Sequence, residues 1–233
     1  MWPLLPAPWI KVSSDPPSSY PSTKTGSFHA FAPNPMPFTV TIFATILLYT
    51  WVLEPRGVAV AIPAAVVLAA TLLSSIRSGE WGLGLRALLP ASRAAAIFTV
   101  AAVLAVLAAG MAIGTLHDRR DFLGSLAELI PWGGVQQWIL QTVVLREARR
   151  RLPPRVAVVV ASVLFALVHT PNLFLMLMTC VGALGWCAIY TRFPNILPLA
   201  VSHALGTLAL LYAFGDDVTG RLRIGQAFLR LGS

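Results

Sequence analysis

Three glutamines, Gln136, Gln137 and Gln141, sit in the stretch Trp132–Gln141 (WGGVQQWILQ), inside a run that is otherwise apolar. Each side-chain amide carries two N–H donors and an acceptor oxygen, and an unpaired polar group in a bilayer core costs several kcal/mol. Two histidines, His169 and His203, lie in later apolar runs. Imidazole, with an ordinary pKa of about 6.5, suits a general base near neutral pH. Ionisable and strongly polar groups are costly in a bilayer core, so their gathering in these runs marks a candidate functional site. No HExxH pattern accompanies the histidines, and two imidazoles with amide oxygens hold zinc weakly, so neither metal nor cofactor is expected.

The elements that must position these groups follow from composition. Of 233 residues, 57% are hydrophobic and 11% charged, and mean hydropathy is +0.75. A soluble globule needs more polar surface than that, so an all-α polytopic transmembrane bundle is expected. About seven runs are mostly apolar and approach the length of a bilayer core. They are Phe38–Leu53, Val58–Ile76, Ala94–Leu116, Leu129–Leu145, Val156–His169, Leu173–Thr191 and Ile196–Phe214. The net charge of +8 does not point to nucleic acid, because the arginines stand in short connections between apolar runs rather than along one solvated face. If the spans alternate, eleven of the 17 Lys/Arg fall on the side of the N-terminus, which the positive-inside rule places in the cytoplasm. An integral protein of a prokaryotic inner membrane, surrounded by lipid, is the expectation.

Residues 1–37 are rich in Pro and Ser and read as a disordered tail. Residues 38–124 hold the first spans, 125–214 a core, and 215–233 a C-terminal tail. Cys180 and Cys187 lie on one face of the sixth span, without CxxC or a nearby His, and need no role beyond that of small buried residues.

A rise of 1.5 Å per helical residue gives the depth of the polar groups. Gln136 lies about 15 Å from the helix end at Arg146, His169 about 21 Å from Arg155, and His203 about 10 Å from Ile196. All three then fall near the middle of the membrane and can meet at one site. Gln137 and Gln141 share a helical face, while Gln136 points about 100° away, so one amide can face a cavity and another a neighbouring helix. The plainer alternative is that these groups only bond helix to helix.

Phe165-Ala-Leu-Val-His169 matches an FxxxH motif, and His203 with Thr207 four residues on matches HxxxN/D after the approach Asn195-Ile-Leu-Pro. With Gln136–Gln141 in the slot of EExxxR, the chain resembles the CPBP family of intramembrane endopeptidases, the CAAX prenyl protease type II or ABI group, over about residues 125–214. The resemblance implies hydrolysis of a peptide bond in a membrane-associated or prenylated protein or peptide. It places Gln136 in the water-activating slot, Gln137 in that of the second glutamate, Gln141 in that of the arginine, and His169, His203 and Thr207 in the remaining catalytic roles. Phe165 and Asn172 join Gln141 as binding or structural residues.

Thr207 still offers a donor in place of Asn, but a glutamine amide cannot accept a proton as a glutamate can. General-base catalysis contributes about 10² to 10⁴ in rate, so the usual mechanism should be crippled unless a histidine is the base. Glu128 and Glu147 are too far along the helix to stand in. Loss of both glutamates and the arginine together suggests a site rebuilt as a neutral hydrogen-bonded cluster. The alternative from another class is a non-catalytic relative that holds a lipid-linked or helical partner in the same cavity.

Overall fold

The computed structural model describes residues 36–118 and 121–231, so the tail read as disordered lies outside it up to Pro35. Among the described residues the chain is all-α. Helix α1 (Pro37–Leu48) runs on through a π turn, Tyr49–Leu53, to Arg56; α2 is Ala61–Ser78 and α3 Leu85–Ala112. Helix α4 (Phe122–Ile139) continues through a second π turn, Leu140–Leu145, into α5 (Arg146–Arg149). Helices α6 (Pro154–Leu167), α7 (Leu173–Arg192) and α8 (Leu197–Ala213) complete the bundle, followed by the short α9 (Asp216–Thr219) and α10 (Gly225–Leu229).

Seven rods therefore stand where the seven apolar runs are read. Pro37–Arg56, Ala61–Ser78, Leu85–Ala112 and Leu173–Arg192 are long and apolar enough to cross a membrane. The apolar helices α6 and α8, with 14 and 17 residues, are shorter; at 1.5 Å per residue they extend about 21 and 26 Å. The third rod begins at Leu85 rather than Ala94, because the exposed Arg86 and Arg93 can carry their charge outward on long side chains from within a helix. The fourth begins at Phe122, where the Asp121 carboxylate accepts from the Gly124 N–H at 2.9 Å and caps the helix.

Helix α8 packs between α3 and α4, and α6 packs on α7. Both contacts of α8 use a glycine for close approach, as helices in lipid commonly do. A Cβ at Gly110 would stand 2.6 Å from the Ala213 carbonyl oxygen, and one at Gly133 3.1 Å from that of Ala200. The π turn after α4 is buried on every side, Leu140 through Leu145, which makes it the centre of the bundle. Its polar neighbours tie it to α2: Trp138 Nε1 donates to Ser75 Oγ at 3.1 Å, and Arg146 donates to the Ser74 carbonyl (3.1 Å) and to its hydroxyl. The loop after α2 inserts against the start of α8, where the Asn195 side chain donates to the Gly84 carbonyl (3.1 Å) and accepts from the Leu197 N–H (3.0 Å).

Beyond α8 the chain folds back onto the bundle. Gly220, Arg221 and Leu222 all take left-handed φ, at 57°, 51° and 54°; for residues with a Cβ this costs about 1–2 kcal/mol each.

Glu147 sits in an arginine-rich helix end yet is buried. Its carboxylate accepts from the N–H groups of Phe38 (3.4 Å) and Thr39 (3.1 Å), satisfying an α1 N-terminus that has no side-chain cap of its own. A negative charge there also suits the helix dipole. Glu147→Ala is expected to lower stability by about 1–2 kcal/mol, and Glu147→Gln, whose oxygen still accepts, by less. Thermal unfolding in detergent measures this, and an unchanged midpoint for the alanine variant refutes the cap.

Candidate active site

Gly133 sets the site by letting α8 approach α4 until His203 lies against Gln137. A Cβ at that glycine would come within 3.3 Å of the His203 Cβ. Gln141 Nε2 donates to Gln137 Oε1 at 2.9 Å, a contact between residues four apart that survives the π turn. With that oxygen engaged, the Gln137 amide nitrogen meets His203 Nδ1 at 3.3 Å. An amide nitrogen only donates, so His203 Nδ1 accepts and the imidazole proton resides on Nε2. Gln137 and Gln141 are both fully buried. Gln141 Oε1 has no hydrogen-bond partner.

His169 stands just past the end of α6. Its Nδ1 lies 2.7 Å from the Phe165 carbonyl oxygen. A carbonyl only accepts, so here Nδ1 carries the proton and Nε2 is left with a lone pair. The two imidazoles thus hold opposite tautomers, one presenting a donor at Nε2 and the other an acceptor. The spacing of FxxxH has a direct cause in this bond, since four residues bring a side chain back over the carbonyl one turn earlier. The Phe165 ring stands edge-on to both histidines, with centroids 5.1 Å from His169 and 6.2 Å from His203.

Trp186 covers the other face of His203, stacked at 4.6 Å with 16° between planes. Its Nε1 donates to Ser202 Oγ at 2.9 Å. Ser202 and Thr99 share a 2.6 Å hydroxyl hydrogen bond, and Thr99 Oγ1 also donates to the Ala95 carbonyl at 2.6 Å. The chain of bonds reaches from α7 through α8 to α3.

Gln136, His169, His203 and Thr207 all reach the wall of one cavity of about 270 Å³. Gln137 and Gln141 do not; they lie behind His203 and hold it. Asn172 is likewise outside the wall: it caps α7 by accepting from the Leu175 N–H (3.0 Å) and donates to the carbonyls of Thr219 (2.9 Å) and Arg223 (3.2 Å). Gln136 Oε1 is buried without a partner. Among the described residues no Asp or Glu stands in the cavity wall, Glu128 being exposed and Glu147 bound to α1. Among the described residues no three His, Cys, Asp or Glu side chains gather as metal ligands.

Residues 122–209 match the family model described as type II CAAX prenyl endopeptidase Rce1-like. The match spans 88 of the chain's 233 residues and overlaps the stretch whose motifs resemble the CPBP family. No curated protein and no solved structure matches the chain. The Rce1-like segment of this integral membrane protein carries Gln136, Gln137, Gln141, Phe165, His169, Asn172, His203 and Thr207, but not the whole cavity. Phe98 and Thr99 of α3, and Leu222 and Ile224 beyond α8, are among the wall residues that lie outside the match. Sequence reasoning passed over Trp186, Thr99 and these two aliphatic residues. Trp186 did carry a signal, since Trp favours the membrane interfaces and this one falls well inside a span.

The unequal bonding of the glutamines is testable by stability alone. Gln137→Leu strands a buried His203 nitrogen and a buried Gln141 donor, and should cost about 1–3 kcal/mol. Gln136→Leu removes an amide oxygen that has no partner and should be near neutral or stabilising. Equal losses in thermal or denaturant unfolding contradict the hydrogen-bond assignment.

Proposed function

We propose that the chain is a CAAX-type intramembrane endopeptidase that hydrolyses a peptide bond in a membrane-associated or prenylated protein. The observation that carries the reading is the tautomer pair: His169 held with a free Nε2 lone pair, and His203 held with an Nε2 proton, on the wall of one cavity. In the reaction the Gln136 amide holds a water and His169 Nε2 takes its proton as the oxygen adds to the substrate carbonyl carbon. The negative charge that develops on the carbonyl oxygen is met by the His203 Nε2–H and the Thr207 hydroxyl. When the C–N bond breaks, the proton on His169 passes to the leaving amine. The carboxylate base of related proteases has no counterpart here, so turnover is slow and rests on imidazole alone.

The Rce1-like description supports the substrate class, and a mostly apolar cavity with a few polar groups suits a segment delivered from the lipid. Arg149, Arg150, Arg151 and Arg155 are exposed at one end of the bundle, and we assign that end, with the N-terminus, to the cytoplasmic side of a prokaryotic inner membrane. A second reading is favoured by the neutrality of the site. With Gln at both glutamate positions, the cavity could hold a lipid-linked or helical partner without cutting it.

Purified protein in lipid nanodiscs is tested with prenylated and membrane-anchored peptides. His169→Ala is expected to lower the cleavage rate by about 10² to 10⁴, His203→Ala to lower it as well, and Gln136→Glu to raise it. Equal residual rates for wild type, His169→Ala and His203→Ala refute the catalytic reading. Retention of a membrane partner by wild type but not by a cavity-filling Gly206→Trp, with no cleavage by any variant, establishes the second.

A further inference from the structure

One stretch of the cavity wall comes from chain past the last long helix. Leu222 and Ile224 line the same cavity as the two histidines. Their segment is tied on both sides of them, through the Asn172 side-chain bonds to the Thr219 and Arg223 carbonyls and a 2.7 Å bond from the Gly225 N–H to the Thr170 carbonyl. Each of these anchors lies in the loop that directly follows His169, so the wall and the proposed base share one mount.

The backbone between the ties is held against its own preference. Left-handed φ at Arg221 and Leu222 is sterically disfavoured and persists only where the surroundings dictate it, as they do at ligand-facing segments. A Cβ at Gly220 would stand 2.4 Å from the Phe228 ring and 2.9 Å from Asn172 Nδ2, so the turn is packed tightly as well as tied. The consequence is that two aliphatic side chains are fixed in the wall. They have no donor or acceptor to offer and can act on an occupant only through shape and apolar contact.

We infer that Leu222 and Ile224 are specificity-determining residues that set the length of the apolar group the cavity accepts. The inference rests on the reading that the cavity admits a substrate group, but testing it needs no turnover. Gly206 also lines the cavity, and a Cβ there meets nothing within 4 Å. In a chain with Cys180→Ala and Cys187→Ala, Gly206→Cys therefore supplies a thiol in the wall without a clash. The rates of its alkylation by N-methylmaleimide and N-hexylmaleimide are compared in one detergent, so that partitioning of each reagent cancels between variants.

Leu222→Ala combined with Ile224→Ala should raise the hexyl-to-methyl rate ratio about tenfold, and Ile224→Phe should lower it by a similar factor. Ratios within about twofold of the parent in both variants overturn the inference. A uniform rise in both rates also overturns it, because the segment would then limit access without selecting length. If the double alanine variant does not elute as a single species, Ile224→Phe decides alone. A length dependence in a protein that cleaves no peptide keeps this inference and removes the catalytic reading, so the two can fail separately.

Discussion

Everything at the centre of this bundle depends on pairing neutral polar groups with one another. A lone donor or acceptor in that interior has no bulk water to turn to, so nearly all are met by side chain or backbone, the amide oxygens of Gln136 and Gln141 excepted. The bonds from Gln141 to Gln137 and from Gln137 to His203 answer that demand in one direction, each amide donating onward. The bonds from Trp186 to Ser202 and on to Thr99 and Ala95 answer it for the indole that stacks on the same imidazole. Between them His203 is fixed in plane and in tautomer, and the helices that carry the partners, α3, α4, α7 and α8, are fixed with it. The structural and the functional use of these groups cannot be separated, since the bonds that join the helices are the ones that orient the ring.

Much of this architecture is written in local pattern. An apolar run has to become a helix in lipid because only a helix satisfies its own backbone there, which is why the seven rods could be read directly. Helical rise allowed Gln136, His169 and His203 to meet, as they do on one cavity wall, and the FxxxH spacing follows from the turn that returns Nδ1 to the Phe165 carbonyl. What could not be read depends on partners distant in sequence. Glu147 reads as part of a basic, solvated helix end, but the unsatisfied N–H groups of α1, more than a hundred residues away, draw it inside. Leu222 and Ile224 follow the last span among Gly, Asp and Arg, and it takes the amide of Asn172, itself occupied in capping a helix, together with the Thr170 carbonyl to fold them against the cavity.

The glycines of WGGVQQWILQ show how a residue without chemistry decides chemistry. Gly133 has no side chain to offer, yet the approach it permits between α4 and α8 is what brings Gln137 within reach of His203. The π turn immediately after the pair has a related effect. It widens the helix at its most enclosed stretch while Gln141 still spans back to Gln137, so the extra residue in the turn is accommodated without breaking the amide chain.

That chain also explains why exchanging glutamate for glutamine is more than the loss of a base. A carboxylate at position 137 could only accept, and would require a proton on His203 Nδ1, leaving Nε2 as a lone pair toward the cavity. The amide reverses this: it donates to Nδ1 and moves the proton to Nε2. His203 thereby presents a hydrogen-bond donor to the cavity, which in the proposed mechanism meets the developing oxyanion. His169, whose tautomer is set by a backbone carbonyl and not by a glutamine, is untouched by the exchange and stays the acceptor. On the proposed reading, a site with glutamines at both positions divides the labour differently between two histidines, with the proton-accepting task assigned to the one whose orientation the backbone alone dictates.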